Sequence, residues 1–225
     1  MKNVFGIAIR TTVVTLVLTG LIYPFVMTGV AQVLLPWRAG GSLLTDDKGQ
    51  VIGSELIAQG FANPAYLQPR PSAAGDKGYD AANSSGSNFG PTSKKLQDRI
   101  KGDLKRLKDE NPDASGPVPG DLVTASGSGL DPDISPQGAL WQVPRIAKAR
   151  KVSPDRVKAI VDAKIQGRTF GVLGEPRVNV VLVNLELDRQ LGRPAPLPVQ
   201  EKKDASKEGT PSSQTPTPSA QPEQK

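Results

Sequence analysis

The feature that most constrains this chain is an uninterrupted run of 27 uncharged residues between Arg10 and Arg38. At about 1.5 Å per residue, a helix of this length reaches roughly 40 Å, which exceeds a bilayer hydrocarbon core of about 30 Å. We therefore predict one transmembrane helix with a span of about residues 11–36. Trp37 follows directly, where an indole ring is well placed at a membrane interface.

The charges around this run indicate its orientation. Lys2 and Arg10 precede it without an acidic neighbour, so the positive-inside rule places the N-terminus in the cytoplasm and the bulk of the chain outside it. The alternative is a cleaved secretory signal, because Gly29 and Ala31 have the small-residue spacing of a cleavage site. The length of the apolar run, which continues to Leu35, favours an uncleaved anchor.

Composition divides the remainder of the chain. Apolar residues make up only 37% and aromatic residues 4%, so part of the chain must lie outside any core. Residues 192–225 are rich in Pro, Ser and Lys with almost no large apolar side chains, which predicts a disordered tail. We predict an N-terminal anchor over 1–38, a single soluble α+β domain over 39–191 and this tail.

Inside the domain, helical and strand patterns alternate, which predicts a mixed α/β architecture. The turn signal at residues 47–49 predicts a β-hairpin, and apolar positions at helical spacing over 92–108 predict an amphipathic helix with a solvated basic face. Ser135 and Ser153, each followed by proline, predict two helix starts. The run 177–187 is apolar on both alternations, which predicts a central strand with both faces covered.

Two long segments have neither pattern. Residues 61–91 carry four of the ten aromatic side chains, which favours an ordered loop packed on the domain over a flexible linker. Residues 121–137 are dense in Gly, Pro, Ser and Asp, which shape turns and cap helices. This second segment is either a shaped functional loop or a long surface connection.

The chain contains no cysteine and no histidine. This excludes disulfides, thiolate nucleophiles, Cys/His zinc sites and Ser-His-Asp triads. The Ser-Gly-Ser-Gly run at 126–129 lacks the lysine of a phosphate loop, and Asp131 and Asp133 lack the further oxygen ligands of a calcium loop. Residues 39–191 carry a net charge of only +2, without a basic cluster for nucleic acid. We predict no catalytic residue, no metal site and no nucleic-acid partner.

Six segments occur in an order that closely resembles the C subunit of the Kdp potassium-transporting P-type ATPase complex. The resemblance covers about residues 1–190 and excludes the tail. The segments that carry it are GSELIAQ-F at 53–61, RPSA at 70–73, SGSNFGP at 85–91, DLVTASGSGLDPDISPQ at 121–137, WQVPRIAKAR at 141–150 and LGEPRVNVVLVNLELD at 173–188.

This resemblance implies a non-catalytic accessory subunit of an ATP-driven, high-affinity potassium uptake pump in the bacterial inner membrane. Its implied partners are a potassium-channel-like subunit, a P-type ATPase subunit that hydrolyses ATP, and membrane lipid. The family is described as a catalytic chaperone that raises the ATP affinity of the ATPase subunit. This implies no tightly bound cofactor, a transient ternary complex with ATP, and a nucleotide contact at Gln142.

The orientation predicted from the charges conflicts with a nucleotide contact, because ATP is scarce outside the cytoplasm. We therefore also expect that the domain packs on the outer mouth of the pore subunit and stabilises the assembly. Two further hypotheses remain open. One is a membrane-anchored envelope hydrolase that uses Asp131 or Asp133, and the other is a secreted binding module released by cleavage after Ala31.

Overall fold

The computed structural model describes residues 3–46 and 48–196. A single continuous helix runs from Val4 to Leu34 and is long and apolar enough to cross a membrane, as predicted. None of its side chains is buried against the protein, and its most apolar 18-residue window has a mean hydropathy of 2.0. Its parts are α1 (Val4–Val17), a π-helical segment (Leu18–Ile22) and α2 (Tyr23–Leu34).

The π-helical segment lies directly before Pro24. Proline has no N–H to donate to the carbonyl four residues earlier, which here belongs to Gly20, and its ring crowds that carbonyl. A wider turn with i→i+5 bonds accommodates this defect, so the helix continues past the proline.

The helix is joined to the domain by a hydrogen-bonded junction. The helix ends at Leu34, and a short turn, α3 (Pro36–Ala39), follows after Leu35. The Trp37 indole Nε1 donates to the Leu43 carbonyl over 3.2 Å, and the Ser42 amide donates to the Trp37 carbonyl over 3.0 Å. These bonds fix the chain as it leaves the helix.

The predicted hairpin is confirmed. It consists of β1 (Leu43–Thr45) and β2 (Val51–Ser54), which pair antiparallel. At its base the Ser54 hydroxyl donates to the Gly41 carbonyl over 2.7 Å, so the hairpin is tied back to the junction. Of the predicted turn signal, Asp47 lies outside the described residues.

The rest of the domain consists of helices, long loops and one small sheet. The three strands are antiparallel in the order β3-β5-β4, which confirms the mixed α/β class. The remaining elements are α4 (Lys94–Glu110), a 3-10 turn (Gly120–Leu122), β3 (Asp133–Ile134), α5 (Pro136–Trp141), α6 (Val143–Arg150), α7 (Pro154–Asp162), β4 (Ile165–Gln166), β5 (Arg177–Asn179) and α8 (Val180–Leu191).

The core lies between the helices α5 to α8 and the sheet, with the inner face of α4 and the 61–91 loop packed against it. Burial of this apolar surface is the main favourable contribution to folding. Its fully buried large side chains include Leu67, Leu122, Ile146, Val157, Val161, Val178, Val183 and Leu187.

One predicted element is wrong. Residues 177–187 do not form one long strand, since the strand ends at Asn179 and the helix α8 follows immediately. The Asn179 side chain accepts a hydrogen bond from the Leu182 amide over 3.0 Å and so caps the helix. The buried positions Val180, Val183, Asn184 and Leu187 recur at helical spacing, and a helix buried on most sides shows the same continuous apolar run as a buried strand.

Other predictions hold with shifted ends. The Ser135 hydroxyl accepts from the Gly138 amide over 2.9 Å and caps α5, as predicted. The apolar positions Val157, Ile160, Val161 and Ile165 predict a helix that continues from Ser153 to Gly167. In the structure this helix ends at Asp162, and Ile165 lies in β4. The predicted tail lies outside the described residues from 197 onward.

Candidate functional site

The two long loops hold each other in place. Gly129, at φ +70°, lies so close to the 61–91 loop that a Cβ atom there would be 2.6 Å from the Ser85 carbonyl oxygen and 2.7 Å from the Ala74 Cβ. The Ser72 hydroxyl donates to the Gly129 carbonyl over 2.6 Å. The segment 121–137 is thus a shaped loop clasped by a second loop.

Serine side chains shape the turn itself. The Ser126 hydroxyl accepts from the amides of Ser128 and Gly129 over 3.2 and 3.1 Å. The Ser126 amide in turn donates to the Pro71 carbonyl over 3.1 Å. These amides therefore point into the protein and do not form a cradle for a phosphate.

Both aspartates of the hydrolase hypothesis are held in ion pairs. Asp131 Oδ2 lies 3.1 Å from Arg70 Nη1, and Asp133 Oδ2 lies 3.0 Å from Arg177 Nε. Burial raises the pKa of Asp133, while Arg177 acts in the opposite direction. No group of three or more acidic side chains in the described part of the chain could hold a metal ion. The geometry therefore favours a structural role for both aspartates.

Gln142 lies at the junction of α5 and α6 and is fully buried. Its Oε1 accepts from the Gln68 amide over 2.9 Å and from Arg145 Nη2 over 2.7 Å. Its Nε2 donates to the Gln68 carbonyl over 3.1 Å and to the Gly138 carbonyl over 3.3 Å. The side-chain amide thus bonds both the N–H and the C=O of Gln68, as the backbone of a paired strand does. Both its oxygen and its nitrogen are hydrogen-bonded inside the protein.

Arg145 extends this network and is only 7% exposed. Its Nε donates to Asn111 Oδ1 over 2.8 Å, and its two terminal nitrogens donate to the carbonyls of Pro64 and Tyr66 over 3.0 and 3.1 Å. No carboxylate bonds the guanidinium directly within the described residues. Burial lowers the pKa of Arg145 to about 10, which still leaves it charged at neutral pH. We refer to Gln142, Arg145, Asn111 and the backbone of residues 64–68 as the glutamine network.

A second, partly buried cluster was not predicted from the sequence. Arg150 Nη2 lies 2.8 Å from Asp188 Oδ1, and the Tyr66 hydroxyl donates to Asp188 Oδ2 over 2.7 Å. The guanidinium also lies 5.0 Å from the centre of the Tyr66 ring. Burial and the bond to Asp188 raise the pKa of Tyr66 to about 12. The only sequence signal for this cluster is that Tyr66 is one of four aromatic residues in the 61–91 loop, which is otherwise poor in large apolar residues.

An open cleft of about 530 Å³ lies beside the glutamine network. Two aromatic rings, two cationic side chains and one carboxylate line the cleft. Gln142 does not line it. The residues that define its character are Phe61, Tyr79, Lys77, Arg106 and Glu110.

Comparison with known proteins gives a consistent result. The family model described as "KdpC: K+-transporting ATPase, c chain" matches residues 5–189. The chain is 60% identical over 198 residues to the potassium-transporting ATPase KdpC subunit of Myxococcus xanthus, across 88% of this chain and 92% of that protein. It is 55% identical to the protein of the same name from Methylobacterium nodulans, across 78% and 92% of the two chains. The corresponding protein of Rhodopseudomonas palustris is 56% identical across 80% and 94%.

Proposed function

The chain belongs to the KdpC family of K⁺-transporting ATPase subunits, and from this premise we propose that it is a non-catalytic, single-pass accessory subunit of a potassium uptake pump. The observation that carries the proposal is the engagement of the domain's reactive side chains with one another. Asp131 and Asp133 are held in ion pairs, and Gln142, Arg145 and the Arg150 cluster are bonded to other groups of the protein. A domain of this kind is suited to binding partner subunits, with hydrolysis carried by another chain.

Deleting the gene for this chain is expected to abolish growth at micromolar potassium, where active uptake is required, and to leave growth at high potassium unchanged. The test compares the growth of the deletion strain with that of the same strain carrying the wild-type gene. Normal growth of the deletion strain at micromolar potassium, together with an intact complex of the other subunits, would contradict the proposal.

We further propose that the N-terminus lies in the cytoplasm and the domain outside it, in the bacterial inner membrane. The charges of Lys2 and Arg10 support this orientation. In this arrangement the domain packs on the outer surface of a potassium-channel-like subunit and stabilises the complex with the P-type ATPase subunit.

The orientation can be tested with thiol chemistry, because the chain has no cysteine of its own. Lys101→Cys on the exposed face of α4 is expected to react with a membrane-impermeant maleimide in intact spheroplasts. Asn3→Cys is the matched control and is expected to react only after the membrane is permeabilised. The reverse pattern of labelling would place the domain in the cytoplasm.

A transient ternary complex with ATP, with Gln142 as the nucleotide contact, stays a prediction. A direct contact would require the Gln142 amide to give up its bonds to Gln68, Gly138 and Arg145. We propose instead that Gln142 affects ATP use through the shape of the domain, by fixing the 64–68 segment against the α5–α6 junction.

A further inference from the structure

The strands β4 and β5 are joined by residues 167–176, which we call the arm. Its two ends continue the sheet, where Gln166 pairs with Arg177. Within the arm, Thr169 and Leu173 exchange both backbone hydrogen bonds, over 2.8 and 2.9 Å. The arm is therefore a small hairpin that extends the β4–β5 pair beyond its last paired residues.

The arm ends in an apolar tip formed by Phe170, Val172 and Leu173, which are 91%, 72% and 59% exposed. Phe170 is more exposed than any other large apolar side chain in the described residues, including those of the membrane helix. Single exposed apolar side chains are common on soluble surfaces, but three together on one projecting hairpin mark an interaction site.

The shape of the tip is fixed by its backbone. Phe170 has φ +53°, a left-handed conformation that is disfavoured for a residue with a bulky side chain. Gly171 and Gly174, at φ +78° and +76°, supply two further left-handed positions after Phe170. The chain thus holds an aromatic ring in water in an unfavourable backbone conformation, which fits a preformed element for a specific binding pocket.

The charges near the tip favour a protein partner over a lipid surface. Arg168 Nη2 lies 2.6 Å from Glu175 Oε2, and Arg177 is paired with Asp133, so the cations at the base of the arm are neutralised. The tip itself, residues 169–174, contains no charge. Anionic lipid headgroups attract unpaired Lys and Arg, whereas the centre of a protein interface is apolar with an aromatic anchor.

The root of the arm is close to the end of the membrane helix. The Ser42 amide bonds the Trp37 carbonyl, the Glu55 amide bonds the Ser42 carbonyl over 3.1 Å, and Asn179 Nδ2 bonds the Glu55 carbonyl over 2.8 Å. Three successive hydrogen bonds therefore connect Trp37, in the short turn that follows the membrane helix, to the last residue of β5. A subunit embedded in the same membrane lies within reach of an arm rooted there.

We propose that the arm docks the chain onto another membrane-embedded subunit of the K⁺-transporting ATPase, with the Phe170 ring and Leu173 inserted into an uncharged, apolar pocket on that subunit. This inference rests on the proposed function and deepens it, because it names the surface through which the accessory subunit joins the complex.

The test uses the whole complex, purified from membranes through a tag on this chain. Leu173→Ser and Phe170→Ser are each expected to lower the recovery of the other subunits by about tenfold or more, as for the anchor residues of an interface. Leu56→Ser is the matched control, since Leu56 is 60% exposed but lies outside the arm, and it is expected to leave recovery unchanged. Phe170→Leu, which keeps the tip apolar, is expected to retain most of the recovery.

Three outcomes would overturn the proposal. The first is unchanged recovery with both serine variants. The second is an equal loss with Leu56→Ser, which would indicate a general effect of surface polarity. The third is strong quenching of Phe170→Trp fluorescence by brominated lipid in nanodiscs, measured against the wild-type complex, which would place the tip in the bilayer. The two proposals can fail separately. If gene deletion abolishes growth at micromolar potassium but the serine variants still recover the other subunits fully, the arm is not the docking surface and the proposed function is retained.

Discussion

Replacing Gly129 by alanine is expected to destabilise the domain by about 4 kcal/mol, because two penalties act at one position. The left-handed φ of +70° disfavours any residue with a Cβ atom. In addition, the new Cβ would lie 2.6 Å from the Ser85 carbonyl oxygen and 2.8 Å from the Ala74 amide nitrogen. These are backbone atoms of the clasping loop, so a side chain cannot simply rotate away.

The measurement is urea unfolding of the full chain in detergent, followed by circular dichroism. Gly127→Ala is the matched control two residues away, since its Cβ would meet nothing within 4 Å and its φ is not positive. We expect the control to change the free energy of unfolding by less than about 1 kcal/mol. Equal effects at the two positions would show that the loops do not clasp each other as described.

Gln142→Ala is expected to lower the free energy of unfolding by about 3 kcal/mol, since it leaves buried polar partners unsatisfied and opens a cavity. The unsatisfied groups are the Gln68 amide and carbonyl and one N–H of Arg145. Urea unfolding measures this effect, and Gln97→Ala on the exposed face of α4 serves as a control that should be nearly neutral.

The same variant separates the two interpretations of Gln142. If the residue is a nucleotide contact, the complex carrying Gln142→Ala should require more ATP for half-maximal hydrolysis while the chain keeps its wild-type stability. If the residue shapes the domain, Gln142→Ala lowers the free energy of unfolding, and any rise in the ATP requirement occurs together with that loss of stability. A wild-type unfolding curve together with a raised ATP requirement would contradict our proposal.

Local signals in the sequence predicted the elements that depend on neighbouring residues. The charge-free run predicted the long helix, and the Ser-Pro pairs at 135–136 and 153–154 predicted two helix starts to the residue. In each case the determinant, such as a cap or the absence of charge, lies within a few residues of the element it sets.

Features that depend on distant partners could not be predicted in this way. The run 177–187 is compatible with a buried strand or a buried helix, and the choice is made by the Asn179 cap and by packing against α7. The glutamine network joins residues more than 70 positions apart, so its members read individually as ordinary surface residues. Their burial appears only when the 61–91 loop folds over the α5–α6 junction.

The hydrogen bonds around Trp37 join the end of the membrane helix to the domain in one defined orientation. The Trp37 indole and carbonyl are bonded by residues 43 and 42, and the Gly41 carbonyl is bonded by Ser54. A rotation of the membrane helix about the membrane normal would therefore rotate the domain with it. Adding a single residue to an α-helix turns everything beyond it by about 100°. The helix face that contacts neighbouring lipid or protein thus determines on which side of the helix, within the membrane plane, the arm with Phe170 lies.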